Sequence, residues 1–326
     1  MNKRPLLLLF ALAAPASAQT SGERRAAPKG LSVHSDLAYV ENGHVRQKLD
    51  LYLPEKAETS LPVIVWVHGG AWLGGSKADC GARRMTQRGY AVASIGYRLS
   101  SDAIFPAQIE DCKAAIRWLR AHAKEYGLDA ERFGAWGSSA GGHLVALLGT
   151  SGDVKEFDAG AHLDQSGRVQ AVCDFFGPTD FLQMDAHAPP DARLKHDPAQ
   201  SPESRLVGGA IQEHKATVAR ASPITYITPD DPPFLIVHGD KDPTVPHHQS
   251  ELLYDALKQA ELRVRFHSVE GAGHGVGVGG REVDDAVNEF FDRHLKGIGA
   301  AESGRATRTR SVSSVAASSR PDVPRR

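Results

Sequence analysis

Cysteine is scarce in this chain of 326 residues, which contains only Cys80, Cys112 and Cys173. An odd number of cysteines leaves at least one thiol unpaired within the molecule, and their spacing leaves open whether one bridge forms. The sequence has no C-x-x-C motif and no cluster of residues spaced like metal ligands. These absences exclude a fully paired disulfide framework, and neither a metal nor a cofactor is predicted.

Neither sign of charge is in excess. The 38 Lys and Arg residues nearly balance the 39 Asp and Glu residues, and the formal net charge is −1. This balance predicts no general attraction to nucleic acid or to an anionic membrane. With 41% hydrophobic and 24% charged residues, the composition is that of an ordinary globular protein.

Long apolar runs are also missing, and the N-terminal run over residues 6–14 is too short to span a bilayer. Lys3 and Arg4 precede this run, and small residues that suit a cleavage site follow it up to Ala18. This order is typical of a signal peptide. We therefore expect residues 1–18 to be cleaved after Ala18 and the protein to be secreted or periplasmic, with no membrane span.

The chain ends differ in composition from its middle. Residues 19–34 are polar and are predicted to form an N-terminal extension. Residues 297–326 contain six Arg, six Ser and two acidic residues without apolar periodicity, which predicts a disordered basic tail. A single domain is expected over residues 35–296.

Short apolar runs and amphipathic stretches alternate within that domain. Residues 63–67 form a continuous apolar run, typical of a strand buried on both faces, and residues 36–40 and 48–53 are predicted to pair antiparallel at one edge. Residues 107–123 place apolar side chains at helical spacing, with charged side chains on the other face. This alternation predicts an α/β fold with a mostly parallel sheet of about eight strands and helices on both faces. The irregular segment 178–222 is predicted to be a small lid or binding insertion.

The stretch Gly137-Ser138-Ser139-Ala140-Gly141 fits the pattern G-x-S-x-G between a predicted strand and a predicted helix. So tight a turn requires small residues around its central serine and projects that hydroxyl above the sheet. The helix that follows also points its N-terminal N–H groups towards this site. Ser139 is therefore the candidate nucleophile, and Ser138 is its neighbour.

A serine hydroxyl needs a base, and the base needs an acid that orients it. In this kind of fold the partners follow in the order serine, acid, histidine. Asp242, directly after a predicted strand, is the preferred acid. Asp240 is the second candidate and Asp180, after an earlier strand, the third.

The chain has 15 histidines, and only His274 lies in a glycine-rich loop directly after the last predicted strand. It is therefore the candidate base. His68 and His238 precede glycines at strand ends, which favours a structural hydrogen-bonding role for both.

The sequence HGGAW at residues 68–72 predicts a site for a negatively charged oxygen. Glycines let backbone N–H groups approach such an oxygen without obstruction by side chains. The predicted donors are the N–H groups of Gly70, Ala71 and Ala140. The predicted substrate pocket is lined by Trp72, Phe181 and Leu182.

With these motifs in this order, the chain resembles a serine esterase of the α/β-hydrolase superfamily. Its HGGAW, GSSAGGH, HGDKDPTVP and GAGHG motifs are similar to those of the bacterial feruloyl and acetyl-xylan esterase type. The resemblance spans about residues 35–296 and assigns the nucleophile, acid and base to Ser139, Asp242 and His274. HGGAW departs from the HGGG of hormone-sensitive-lipase relatives, which argues against that branch.

The resemblance implies a secreted serine carboxylesterase that acts through an acyl-enzyme. Its expected substrates are acetyl or feruloyl esters of polysaccharide, or small analogues. The alternatives are an amidase, peptidase or arylformamidase of the same fold, and an inactive hydrolase fold used for binding. The sequence leaves the oligomeric state open.

Overall fold

The computed structural model describes residues 30–298, so the predicted signal peptide and nearly all of the predicted basic tail lie outside the described residues. Within this range no helix has the length and apolar character that crossing a membrane requires. The strands of the described range are β1 (Leu31–Ala38), β2 (Lys48–Pro54), β3 (Leu61–Val67), β4 (Ala91–Ile95), β5 (Leu128–Ser138), β6 (Ala171–Phe175), β7 (Phe234–Gly239) and β8 (Val264–Val269). The α-helices are α1 (Ala107–Ala121), α2 (Ala123–Tyr126), α3 (Ala140–Thr150), α4 (Pro202–Val207), α5 (Lys215–Ala221), α6 (His248–Gln259) and α7 (Arg281–Lys296).

All eight strands of the described range form one sheet in the order β1-β2-β4-β3-β5-β6-β7-β8. The pairs β1–β2 and β2–β4 are antiparallel, and the other five pairs are parallel. The predicted fold class and the antiparallel pair at one edge are thereby confirmed. Because strands β3 and β5 to β8 all run the same way, their carboxyl ends meet at one edge of the sheet.

The first strand begins earlier than predicted. It covers Leu31–Ala38 and therefore starts inside the segment expected to be an N-terminal extension. Its pairing with β2 shifts between His34 and Leu37, and Asp36 within this irregularity has a φ of 58°. The bulge interrupts the alternation of inward and outward side chains, which is the signal that predicts a strand.

Alternate residues of β3 enter two separate hydrophobic layers. Val63, Val65 and Val67 pack in the layer that contains residues of α1, α3 and α6. Ile64 and Trp66 pack in the layer that contains residues of α7. Every residue of β3 is buried, which confirms the prediction of a strand covered on both faces.

All three cysteines are free thiols, which answers the question that their spacing left open. Cys112 lies in the layer with α1, and Cys173 lies in the opposite layer with α7. Because the sheet separates these two thiols, a bridge between them would require the fold to open.

Much of the charged face predicted for residues 107–123 is covered by another part of the chain. Lys113, Arg117 and Arg120 are all buried. The Lys113 Nζ donates to the carbonyl oxygens of Ser151 and Val154 at 3.1 and 2.9 Å. The two guanidinium groups likewise donate to backbone carbonyls, most of them in the loop that follows α3. That loop covers α1, and helical periodicity carries no information about such a cover.

The insertion between β6 and β7 is more regular than predicted, since it contains α4 and α5. It is fastened to the loop that follows β7. The backbone N–H of Arg193 donates to the carbonyl of Pro243 at 2.7 Å, and His196 Nε2 lies 3.1 Å from the carbonyl oxygen of Thr244. The insertion therefore packs at the sheet edge where the carboxyl ends of the strands meet.

The burial of Lys113 leads to a stability prediction. Its Nζ lies 2.9 Å from the Asp158 carboxylate, and its side chain has no exposed surface. We expect Lys113→Ala to lower the free energy of unfolding by about 3 kcal/mol, because it leaves the carbonyls of Ser151 and Val154 without their donor and removes the buried cation among those paired with Asp158. The control is Lys155→Ala, since Lys155 also pairs with Asp158 but is 84% exposed. We expect that change to cost less than about 1 kcal/mol. Equal losses of the two variants in urea denaturation would contradict this account.

Candidate active site

Ser139 occupies the turn between β5 and α3, with a φ of 55° and a ψ of −123°. A residue other than glycine in such a conformation costs about 1–3 kcal/mol, so the surrounding structure must hold it there. The Ser139 N–H donates to the carbonyl of Phe175 at 2.8 Å, and the His143 N–H donates to the carbonyl of Ser139 at 3.0 Å. Ser138 is the last residue of β5. The turn has the strand-to-helix context that the sequence predicts.

The glycines around Ser139 have no room for a side chain. A Cβ on Gly137 would collide with the carbonyl group of Gly141, and a Cβ on Gly141 would collide with the carbonyl oxygen of Val67. A Cβ on Gly142 would collide with the Asp174 carboxylate. Strands β3 and β6 therefore pass so close to the start of α3 that only glycine fits between them.

Three side chains from separate loops form one hydrogen-bonded series. Ser139 Oγ lies 3.0 Å from His274 Nε2, and His274 Nδ1 lies 2.7 Å from Asp242 Oδ2. An ionised carboxylate can only accept hydrogen bonds, so Nδ1 of His274 carries the proton. Nε2 is then free to accept the proton of the Ser139 hydroxyl.

Asp242 is buried in the loop after β7, and its carboxylate accepts hydrogen bonds from several groups of the protein. Its Oδ1 accepts the N–H groups of Thr244 and Val245 at 2.8 and 2.9 Å. Burial alone would raise the pKa of this carboxyl. The hydrogen bonds from His238 and His274 outweigh that effect and hold the pKa of Asp242 well below its usual range. The carboxylate is therefore ionised throughout the neutral range.

The other two candidate acids have different partners. Asp240 Oδ1 accepts the N–H of Gly271 at 2.7 Å. Asp180 accepts the N–H of Leu182 at 3.0 Å and so caps a short 3₁₀ turn. Within residues 30–298, neither carboxylate contacts His274, and of the three candidates only Asp242 does.

The HGGAW loop lies directly against the Ser139 turn. A Cβ on Gly69 would stand 2.7 Å from the carbonyl oxygen of Ser138 and 3.3 Å from the Cβ of Ser139. The next three residues all have positive φ angles, 112° at Gly70, 56° at Ala71 and 54° at Trp72. Gly70 and Ala71, two of the three predicted N–H donors, belong to this left-handed run and directly follow Gly69, and the third predicted donor, Ala140, directly follows Ser139.

Trp72 and Phe181 lie in the hydrophobic core, where each is 1% exposed. The Trp72 ring contacts the rings of His143 and Phe181, with centroids 5.2 and 5.5 Å away. Burial lowers the pKa of His143 to about 4, and its Nε2 donates to the carbonyl of Ala221 at 2.7 Å. This burial differs from the expectation that Trp72 and Phe181 line the substrate pocket, since Trp72 anchors the HGGAW loop in the core and Phe181 packs against it there. Of the three predicted pocket residues, Leu182 keeps partial exposure.

Two residues at the end of β6, Asp174 and Phe176, lie beside the site although the sequence analysis identified neither of them. The Phe176 ring meets the His274 imidazole edge-on, with centroids 4.8 Å apart, and Phe176 has a φ of 43°. Asp174 lies buried beneath the start of α3, and burial raises the pKa of its carboxyl to about 7. An acid within the apolar run VCDFF was a usable signal for Asp174, whereas nothing in the sequence distinguishes Phe176 from a core residue.

Comparisons with known proteins find a matching family and similar esterases. Residues 49–257 match the family model described as BD-FAE. Esterase LipC of Mycobacterium tuberculosis is 33% identical over 234 residues, which cover 70% of this chain and 57% of LipC. The chain thus spans about half the length of the curated relatives that it matches.

Two solved structures share both the fold and about a third of the sequence. A truncated carbohydrate esterase from gut microbiota is 34% identical with a TM-score of 0.75, and the match covers 81% of this chain and 96% of that protein. A bifunctional GH43-CE protein of Bacteroides eggerthii is 36% identical with the same TM-score of 0.75. That match covers 81% of this chain and 35% of the larger protein. The comparisons thus identify the fold as that of the α/β-hydrolases.

The backbone strain at Ser139 can be measured without any activity assay. Ser139→Gly and Ser139→Ala both remove the hydroxyl, but only glycine adopts a φ of 55° with this ψ at little cost. We expect Ser139→Gly to exceed Ser139→Ala in free energy of unfolding by about 1 kcal/mol, after the entropy cost of glycine is deducted. Urea denaturation of the two variants measures the difference, and a more stable alanine variant would contradict the strain.

Proposed function

Because the chain belongs to the BD-FAE family of α/β-hydrolases, we propose that it hydrolyses carboxylic esters, with Ser139 as nucleophile, His274 as base and Asp242 as orienting acid. The observation that carries this proposal is the unbroken series of hydrogen bonds from Ser139 through His274 to Asp242. Ester cleavage is the reaction that suits this arrangement, since a serine activated by a base attacks carbonyl carbon.

In the proposed first half-reaction, Ser139 Oγ attacks the ester carbonyl while its proton passes to His274 Nε2. The Asp242 carboxylate stabilises the imidazolium that forms and keeps its ring aimed at the serine. The carbonyl oxygen becomes negative and accepts hydrogen bonds from the N–H groups of Gly70, Ala71 and Ala140. Such donors are typically worth about 3 kcal/mol each in the transition state.

The tetrahedral intermediate then collapses. His274 gives its proton to the leaving alcohol, and the acyl group remains on Ser139 as an ester. In the second half-reaction a water molecule attacks this ester and gives a proton to His274, which returns a proton to Ser139 Oγ as the carboxylic acid is released. The N-terminal end of α3 contributes a favourable electrostatic field at the reacting oxygen.

We further propose that the substrates are acetyl or feruloyl esters of polysaccharides, or small analogues of these. The carbohydrate esterases that share fold and sequence with this chain support a carbohydrate on the alcohol side. The predicted signal peptide supports action in the periplasm or outside the cell, where such polymers are found. An inactive binding fold is disfavoured because its serine, base and acid would have no reason to stay in hydrogen-bonding contact.

The first test is kinetic. We expect Ser139→Ala to lose on the order of 10⁴-fold or more in kcat, while Ser138→Ala keeps much of the wild-type rate. p-Nitrophenyl acetate, methyl ferulate and acetylated xylan serve as substrates, so that one panel also ranks the acyl and alcohol groups. A fully active Ser139→Ala enzyme would refute the proposed chemistry. Activity on p-nitrophenyl acetate alone would refute only the carbohydrate assignment.

The second test concerns the acid. Asp242→Asn should lower kcat by several orders of magnitude, because the amide can no longer stabilise the imidazolium of His274. Asp240→Asn is the matched control, two residues away in the same loop and bonded to Gly271 instead. Its kcat should stay within a few-fold of wild type. Similar small losses in both variants would remove Asp242 from the proposed mechanism.

A further inference from the structure

Asp242 Oδ2 is shared by two histidines. His274 approaches it from the exposed side with Nδ1 at 2.7 Å. His238, the last residue but one of β7, approaches it from the interior with Nε2 at 3.1 Å. The two rings differ in environment, since the His274 side chain is 23% exposed whereas the His238 side chain has no exposed surface.

The protonation state of His238 follows from its partners. Its Nε2 faces two acceptors, the Asp242 carboxylate and the carbonyl of Val245, both at 3.1 Å. This nitrogen must therefore carry a proton. Its Nδ1 lies 2.7 Å from the hydroxyl of Ser250 on α6, which is also fully buried. Burial lowers the pKa of His238, so the ring is neutral and Nδ1 accepts the Ser250 proton.

We propose that His238 is a positioning residue that holds Asp242 by a second hydrogen bond on Oδ2 and thereby sets the basicity of His274. This inference rests on the proposed function, because it takes Asp242 and His274 as the acid and the base. A donor on Oδ2 fixes the oxygen in the plane of the His274 ring. It also withdraws negative charge from the atom that stabilises the His274 imidazolium.

The predicted consequence is that loss of the His238 donor shifts the pH dependence of kcat/KM in a defined direction. His274 must be neutral to accept the proton of Ser139, so protonation of His274 in the free enzyme is expected to set the acidic limb of kcat/KM. Loss of the His238 donor leaves more negative charge on Oδ2, which favours the imidazolium. The protonated form of His274 is then favoured, and the acidic limb of kcat/KM moves to higher pH.

Three ionisable groups face His238. Asp242 and His274 are the two members of the proposed mechanism that it faces. His247 at the start of α6 is the third, with ring centroids 5.4 Å apart. Its Nε2 lies 2.9 Å from the Ser268 hydroxyl and its Nδ1 lies 3.2 Å from Glu251, so its own partners lie away from Asp242.

The experiment compares His238→Leu, which removes the donor, with His238→Gln, whose amide N–H can reach the same oxygen. The readout is the acidic limb of kcat/KM for p-nitrophenyl acetate. We expect the limb of His238→Leu to move up by about half to one pH unit and that of His238→Gln to coincide with wild type. His267→Leu is the control, because His267 on β8 lies beside Glu282 instead and its limb should not move.

An unmoved limb in a folded His238→Leu enzyme would overturn the proposal, as would a limb in His238→Gln that moves as far as in His238→Leu. Where His238→Leu does not fold, Ser250→Ala decides, because loss of the Ser250 proton weakens the same bonded series. Its limb should move in the same direction by a smaller amount, and an unmoved limb would overturn the proposal. Ser139→Ala in the same assay distinguishes failure of the proposed function from failure of the role proposed for His238. If Ser139→Ala retained activity, the proposed function itself would be refuted.

Discussion

The close passage of β3, β5 and β6 past the start of α3 is the constraint on which the site depends. Backbone atoms of these elements approach until only glycine fits between them, at Gly137, Gly141 and Gly142. The chain can leave β5 and enter α3 in this space only by a left-handed residue. That residue is Ser139, so the same packing that closes the core also fixes a hydroxyl above the sheet. The HGGAW loop is pressed against this turn because it follows the neighbouring strand.

Parallel topology then brings distant residues to the same place. Asp242 follows β7 and His274 follows β8, and both strands end at the edge where β5 delivers Ser139. Burying the Asp242 charge at this edge requires several donors, and the fold supplies them from the acid's own loop and from two histidines. The insertion between β6 and β7 is bonded to that same loop, so it adds rigidity where the carboxylate is held.

Much of this arrangement could be predicted from the sequence, because short motifs encode local geometry. The choice of Ser139 as candidate followed from a G-x-S-x-G pattern placed between a predicted strand and a predicted helix, and the choice of His274 followed from its glycine loop after the last strand. What could not be predicted depends on parts of the chain that meet only after folding. The cover over Lys113 comes from a loop about 40 residues away, and Trp72 is buried by the insertion that packs on it. The Phe176 contact with His274 likewise needs two strand ends to be adjacent in space.

The unpaired state of the three cysteines has a practical consequence. Burial raises the pKa of Cys80, Cys112 and Cys173, so their thiols stay protonated and react slowly with oxidants. The fold gains none of its stability from covalent cross-links, and an oxidising compartment adds nothing to it. The described domain can therefore be produced in a reducing bacterial cytosol and purified with dithiothreitol present. Thiol reagents can then label a cysteine engineered onto the surface, because the three native thiols react slowly with them.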